Sequence, residues 1–452
     1  MKILHYSLGL PPFRSGGLTK YSFDLIKGQA RLENEVSLLY PGTINIKTKT
    51  KIVPNKGKYG INIYEIINPL PIPLLNGVKK PRYYYAKKDE TYFYNWLKDK
   101  FFDVIHIHTI MGIPVEFLKA AKRLHIKMIY TTHDYYGICP KVNLIKKNSE
   151  LCVTNENYSE CKECCVNGFD YKKIILMQSK PYRIIKGTKL GNKTIKIIKK
   201  RSNKCNDFDK ESVNLEQSNL NEKVNINEYK KLQEYYYNIF NLIDYYHFNS
   251  TITEMVYKRY LKNIKGKVIN ITHADIHDNR EIKKFDAEKL RILFLGNELQ
   301  YKGLPLLLES LKQMPKNKWK LNVYGTDKVM KSENITYHGK YSHDDLGNIF
   351  KESDVIILPS IWYETFSLVA LEAYSFGVPI IMTDLIGFKD NIVDNLTGFI
   401  ISADSSSLSD KIRELLIDKN KLVNVNKQIC LGEFKFFMDD HIKEIISLYK
   451  NN

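Results

Sequence analysis

The chain has 452 residues, 43% of them hydrophobic, and a formal net charge of +19. That length is too great for one typical core, so two domains are expected. No apolar run approaches the ~18 residues of a membrane span. A balance this basic points to nucleic acid, an anionic membrane surface or a polyanionic substrate, although the abundant Lys, Asn and Ile also fit a biased genome composition. The first residues, MKILHYSLGLPPF, carry one Lys and a short apolar run broken by two prolines. They read as a first β-strand rather than a secretory signal, which makes a cytoplasmic location the default.

In chain order, residues 2–7 predict a strand, Gly16-Gly17 a loop, residues 18–29 an amphipathic helix and residues 36–40 a second strand. A glycine pair lets backbone approach a ligand closely, and a plain turn has the same composition. Residues 41–100 are less readable, with Pro-rich and Tyr-rich pieces. DVIHIHT (103–109) and KMIYTT (127–132) predict two more strands, each followed by a His at its carboxyl end: His108, and His133 within His133-Asp134-Tyr135-Tyr136. Such a His is well placed for a ligand, and as often is a satisfied structural residue.

Residues 140–240 predict an insertion with two unusual pieces. Seven cysteines occur in the chain. Their odd number and scatter argue against a disulfide framework. Cys161 and Cys164, with Cys152 and Cys139, have the elements of a structural zinc site; reduced, partly buried thiols are the alternative. Residues 172–204 then hold twelve Lys or Arg and no Asp or Glu, interleaved with apolar residues. This basic amphipathic stretch fits attachment to anionic lipid or a solvated insertion. Asp207-Phe208-Asp209 forms a D-x-D triplet inside a low-complexity polar stretch, where chance explains it. No nucleic-acid motif accompanies the charge.

Residues 228–244 predict a helix, 245–250 a strand with Ser250 or Thr251 capping the next helix, and 268–272 the last strand of this half. The charged residues 277–289 lack apolar periodicity and predict an interdomain linker. The second half opens with a strand at 291–296, a loop from Asn297 to Gly303 and a helix at 304–314. Strands follow at 321–325 and 335–339, helices at 407–417 and 434–449.

The most informative stretch is DVIILPSIWYETFSLVALEAYSFGVP (354–379). Val355-Ile356-Ile357-Leu358 predicts a buried parallel strand. Thr365 or Glu364 then caps a helix at about 366–376, which Gly377 and Pro379 stop. This is one βαβ unit with its loop at the carboxyl end of the strand, where open α/β sheets bind ligands. Were Glu364 and Glu372 both helical, they would lie about 12 Å apart along the axis and about 80° around it. They cannot form a close acid/base pair. They could hold two ends of one extended ligand whose anionic middle meets the amides of Thr365, Phe366 and Ser367. A sugar–diphosphate–nucleoside has that shape. An N-terminal helix charge and a solvated helix face are the structural alternatives.

With Gly387, Asp390 and residues 395–400 in sequence after it, this stretch resembles the E-x7-E signature of retaining GT-B glycosyltransferases of family 4. The resemblance is good at both ends of the chain and poor over about 150–240. It implies an α/β fold of two Rossmann-like, doubly wound parallel-sheet domains facing a central cleft. Residues 1–278 would be the acceptor side and 290–432 the nucleotide-sugar domain, with 433–452 a terminal helix crossing back. It implies that Glu364 contacts the donor sugar, Glu372 the ribose and His133 the transferred sugar, with Asp134 orienting that imidazole or accepting from substrate. Gly16 and Gly17 would face the reacting sugar and donor phosphates, and Tyr341 the base. After Gly296 the family carries an Arg, and five residues later a Lys, both on the diphosphate. Lys302 matches the Lys, whereas Asn297 stands at the Arg position. The implied chemistry is retaining transfer of a hexose or N-acetylhexosamine from a nucleotide sugar to a glycan or polyprenyl-linked acceptor, with no cofactor required. A sugar-nucleotide epimerase, a phosphorylase and a non-catalytic basic membrane-binding protein are the competing readings.

Overall fold

The computed structural model of the chain describes residues 1–450 apart from Pro12, Ser15, Ile46, Lys47, Tyr59, 74–76, Asn155 and 187–225. The D-x-D triplet, Cys205 and the basic residues 187–204 lie outside the described residues. The chain divides into two compact units, one of residues 1–142 and 154–246, the other of 143–153 and 247–452.

The first sheet is built from β1 (Lys2–Tyr6), β2 (Glu35–Pro41), β3 (Lys51–Lys58), β4 (Ile61–Ile67), β5 (Val104–Ile107), β6 (Lys127–Thr131), β7 (Tyr245–Phe248) and β8 (Gly266–Val268). Their order is β3-β4-β2-β1-β5-β6-β7-β8. β1 runs parallel to both β2 and β5, with His5 opposite His106. The chain therefore winds outward from β1 in both directions, which places a topological switch point at the carboxyl ends of β1 and β5. β3 is antiparallel to β4 at the sheet edge and tolerates Pro54 there. Helix α1 (Gly17–Arg31) follows the β1 loop.

The second sheet contains β9 (Leu290–Leu295), β10 (Trp319–Tyr324), β11 (Val329–Lys331), β12 (Ile335–Gly339), β13 (Val355–Leu358), β14 (Ile380–Thr383) and β15 (Phe399–Ile401). Its order, β11-β12-β10-β9-β13-β14-β15, repeats the same logic, with the switch between β9 and β13. All four β13 residues are buried, as their unbroken apolar run dictates. The helices that position the site are α2 (Thr251–Tyr260), α3 (Leu304–Lys312) and α4 (Leu368–Ser375).

The insertion forms short helices at Tyr158–Cys164, Tyr171–Met177 and Lys180–Lys186, then a longer one at Ile226–Phe240. The expected zinc elements do not converge. Cys139, Cys152, Cys161 and Cys164 form no disulfide, and among the described residues no three of them offer ligand atoms to one point. Cys152 N–H bonds Leu144 O beside the Ile145–Leu151 bridge.

Candidate active site

In the second unit the loops after β9 and β13 meet at the switch point. The β9 loop ends in a single turn, Gln300–Lys302, and Gly303 with φ +80°. A Cβ on Gly303 would lie 1.7 Å from Pro359 O. Only glycine permits that approach, and the approach is what carries Lys302 to the β13 loop. Ile361 N donates to Tyr301 O at 2.9 Å and fixes the register of the two loops.

Lys302 Nζ lies 2.9 Å from Glu364 Oε1, and Ser360 Oγ donates to Glu364 Oε2 at 2.7 Å. Burial alone would raise the Glu364 pKa. The Lys302 charge and the hydrogen bonds from Lys302, Ser360 and Ser367 outweigh it and hold the carboxyl below its ordinary value. Glu364 is therefore an ionised, oriented carboxylate, not a proton donor.

The helix cap differs from the sequence expectation. Neither Glu364 nor Thr365 caps, and the helix starts at Leu368 rather than 366. Tertiary bonds claim the intervening backbone. Glu364 N donates to Leu385 O, Ser250 Oγ to Thr365 O, and Phe388 N to Phe366 O. Ser367, at φ 93°, caps through Oγ, which accepts from Ala370 N. The helix rule leaves the Leu368 and Val369 amides without intrahelical acceptors, so the start of α4 keeps anion-directed N–H groups beside the Lys302–Glu364 pair.

Glu372 sits eight residues on, 8% exposed. His343 Nε2 approaches its Oε1 at 3.1 Å and His273 Nε2 at 3.4 Å. His273 Nδ1 accepts from Asp275 N at 3.3 Å. The neutral ring therefore carries its proton on Nε2, facing the carboxylate without good hydrogen-bond alignment. Burial tends to raise the Glu372 pKa, and the two histidines bring it below its ordinary value. Tyr341 is pushed up to about 12 by burial and then by Glu372. Its ring is edge-on to Tyr324 at 6.3 Å, and Tyr324 stacks on His338 at 4.1 Å. Gly296 follows β9 directly. The Asn297 side chain is exposed, and Oδ1 accepts from Leu299 N at 3.4 Å.

In the first unit, Gly16 at φ 115° and ψ 173° opens α1. That conformation is essentially restricted to glycine, and Gly17 begins the helix. His133 follows β6, its ring 4.9 Å from Tyr21 of α1 and 5.7 Å from His108. Its neighbour Asp134 accepts from Tyr136 N at 2.8 Å, and burial raises that carboxyl to about 6. Behind them lies a histidine network. Gln29 Oε1 accepts from His5 Nε2–H at 2.8 Å, which leaves His5 Nδ1 to accept from His108 Nε2–H at 2.9 Å. His106 Nε2 meets Thr131 Oγ1 at 2.6 Å. Burial lowers the His5 pKa to about 4, so the His5 ring is neutral within this network.

Among the described residues, two groups bring three metal-competent side chains within 4.8 Å of one another: His5, His106 and His108; and His273, Asp275 and His343. The sequence reading missed Ser360, His273 and His343. The only signal for His343 was its position two residues after Tyr341; His273 had none.

Two α/β sheets of eight and seven strands, each with a strand-end switch point, define a GT-B fold. Residues 275–429 match the family described as "Glycosyl transferases group 1", and residues 15–150 match "Glycosyltransferase Family 4". Glycosyltransferase family matches thus fall in both halves of the chain. It is 30% identical over 183 residues to an uncharacterized 41.2 kDa protein in the cps region of Klebsiella pneumoniae, covering 38% of this chain and 49% of that one. It is 26% identical over 199 residues to an uncharacterized glycosyltransferase of Methanocaldococcus jannaschii, covering 40% and 50%. The chain thus spans about half the length of these curated relatives. Among solved structures it resembles sucrose-phosphate synthase from Thermosynechococcus elongatus (TM-score 0.57, 14% identity, 100% of this chain and 98% of that one). It also resembles Anabaena HepE in complex with UDP (TM-score 0.57, 13% identity, 99% of each chain). At such identities the likeness concerns the fold. No described helix is long and apolar enough to cross a membrane.

Proposed function

We propose that the chain is a retaining glycosyltransferase that moves a hexose or N-acetylhexosamine from a nucleotide-diphosphate sugar to a glycan or lipid-linked acceptor. The observation that carries this reading is the Lys302–Glu364 pair beside the amide-bearing start of α4. A lysine and free amides suit a diphosphate, and an ionised, oriented carboxylate suits sugar hydroxyls. Glu372 takes the ribose, Tyr341 the base, and Gly296 and Asn297 line the phosphate loop. Gly16, Gly17 and His133 serve the reacting sugar.

In the transfer, the bond from the anomeric carbon to the donor phosphate oxygen breaks as the bond to the acceptor oxygen forms on the same face. The acceptor hydroxyl proton passes to the departing phosphate, so no side chain is assigned as general base. Lys302 and the α4 amides stabilise the charge that develops on the diphosphate. The Klebsiella relative's cps region supports a role in polysaccharide synthesis. Leu176 and Ile185, exposed on the short basic helices of the insertion, support contact with an anionic membrane face from the cytoplasmic side.

The test is to incubate the protein with UDP-, GDP- and ADP-sugars and measure nucleotide release, starting with UDP because HepE was solved with it. Glu364→Gln and Lys302→Ala should each lower release sharply while the fold persists. Unchanged turnover in both variants removes these roles. An epimerase changes the sugar without acceptor, and a pure binding protein releases no nucleotide.

A further inference from the structure

The first unit contains a second cavity, of about 510 Å³, between the edge hairpin β3–β4 and the insertion helix Lys180–Lys186. Phe13, Asn55, Glu65, Lys180, Arg183 and Ile184 are among its walls. Its polar groups are fixed in one network. Arg183 Nη1 donates to Glu65 Oε2 at 2.8 Å, and Nη2 to Tyr40 Oη at 3.1 Å. Tyr40 Oη donates to Glu65 Oε2 at 2.9 Å, and Asn55 Nδ2 to Tyr40 Oη at 2.7 Å. Glu65 Oε1 also accepts from Thr43 N at 3.3 Å. The guanidinium lies 5.0 Å from the Phe13 ring centroid.

This wall offers apolar surface from Phe13 and Ile184 together with pre-aligned polar edges. A pyranose ring presents the complementary pattern, apolar faces and a hydroxyl rim. The volume falls in the range of small-ligand pockets. The charge selects further. Arg183 and Glu65 cancel each other, yet two of the five guanidinium donors suffice for Glu65 and Tyr40, so others can reach a ligand. Lys180 adds a cation with no acidic partner among the described residues. Phe13 belongs to the same loop as Gly16-Gly17, and Lys186 Nζ holds that loop by donating to Phe13 O at 3.1 Å.

We propose that this cavity binds an anionic hexose unit of the acceptor, a sugar bearing a carboxylate or phosphate, with Lys180 and Arg183 on the anion and Asn55 and Glu65 on ring hydroxyls. The assignment as acceptor rests on the transferase reading above; the binding itself does not. The insertion therefore sets acceptor specificity, because Lys180 and Arg183 both come from it.

The experiment measures binding without donor. Methyl glucuronide, glucose 6-phosphate and methyl glucoside are titrated against the full chain by saturation-transfer NMR and calorimetry, alongside Lys180→Ala and Asn55→Ala. Both substitutions spare the Arg183–Glu65 pair, so the fold should persist. Binding of one or both anionic sugars, weakened about tenfold in Lys180→Ala as expected for a lost charged hydrogen bond, with methyl glucoside bound more weakly, supports the site. The better of the two anionic ligands names the acidic group. Equal binding of all three sugars, no binding, or affinity unchanged in both variants overturns it. If an anionic sugar binds as expected but no nucleotide sugar is turned over, the cavity stands and the transferase reading fails.

Discussion

Two buried glutamates, one in each unit, show how the same pairing serves different ends. Glu364 meets Lys302 at 2.9 Å and Glu65 meets Arg183 at 2.8 Å, and their side chains are comparably buried, 12% and 9% exposed. Arg183 binds Glu65 and Tyr40 at once through a planar fork, so it braces a hairpin against a helix 118 residues away. Lys302 is a point charge on a flexible stem, and Ser360 also holds Glu364. Such a lysine can turn to a diphosphate while its carboxylate stays in position. The Arg183–Glu65 pair is built to stay closed even when a ligand docks against it, the Lys302–Glu364 pair to open toward one.

The largest effect expected from this contrast is catalytic. Glu364→Gln keeps the shape and removes the charge, and should lower kcat/KM for nucleotide-sugar turnover by roughly 10²–10³, the usual result of deleting one preorganised transition-state contact. Its Tm should shift little. A variant as active as the parent would mean that Glu364 is only a structural partner of Lys302.

Acid sensitivity comes next and touches both units. His5 and His247 are wholly buried, and burial lowers each pKa to about 4. The unfolded chain takes up these protons near pH 6.5, whereas the folded chain does so near pH 4. Stability is therefore full above about pH 6.5 and is lost as pH falls toward 4, by about 3 kcal/mol per ring. Asp134, raised to about 6, works in the opposite direction, its contribution being lost as pH rises through 6. Urea unfolding from pH 7.5 to 4.5 should show a falling midpoint. His247→Gln should flatten the slope. A slope unchanged by the substitution would show that these imidazoles do not control it.

Arg183→Ala should destabilise the first unit by about 2–3 kcal/mol, because it strands a buried carboxylate; the figure is kept below that for a fully buried pair, since Arg183 is 29% exposed. Glu65→Gln in the same chain should recover much of that loss. Lys302→Ala should cost less stability than Arg183→Ala and far more activity. Equal thermal shifts in the two single variants would erase the distinction between brace and shared charge.

What was legible in the sequence follows the same divide. Glu364 could be singled out because it belongs to a local strand-loop-helix pattern within one βαβ unit, whereas Lys302 stands out only through the family resemblance. The cap at Ser367 could not, since bonds from Ser250, Leu385 and Phe388 decide where α4 starts. Residues 51–67 form a hairpin, yet Pro54 and the lysines of its edge strand mask the alternation that would have revealed it. The Arg183–Glu65 brace had no local signal.

The smallest effect concerns the one departure from the family pattern at the phosphate loop. Asn297 is exposed and spends Oδ1 on Leu299 N at 3.4 Å, a long bond, so replacing it should disturb the loop little. Asn297→Arg would add a guanidinium beside Lys302, where an exposed charged contact is worth about 1 kcal/mol or less. Donor affinity should therefore rise no more than about fivefold by calorimetry, with a steeper salt dependence and the same Tm. The gain should vanish in the Lys302→Ala background if both cations address the same phosphates. Weaker donor binding in Asn297→Arg would instead mean that the amide itself is a donor contact, added to those of Lys302 and the α4 amides.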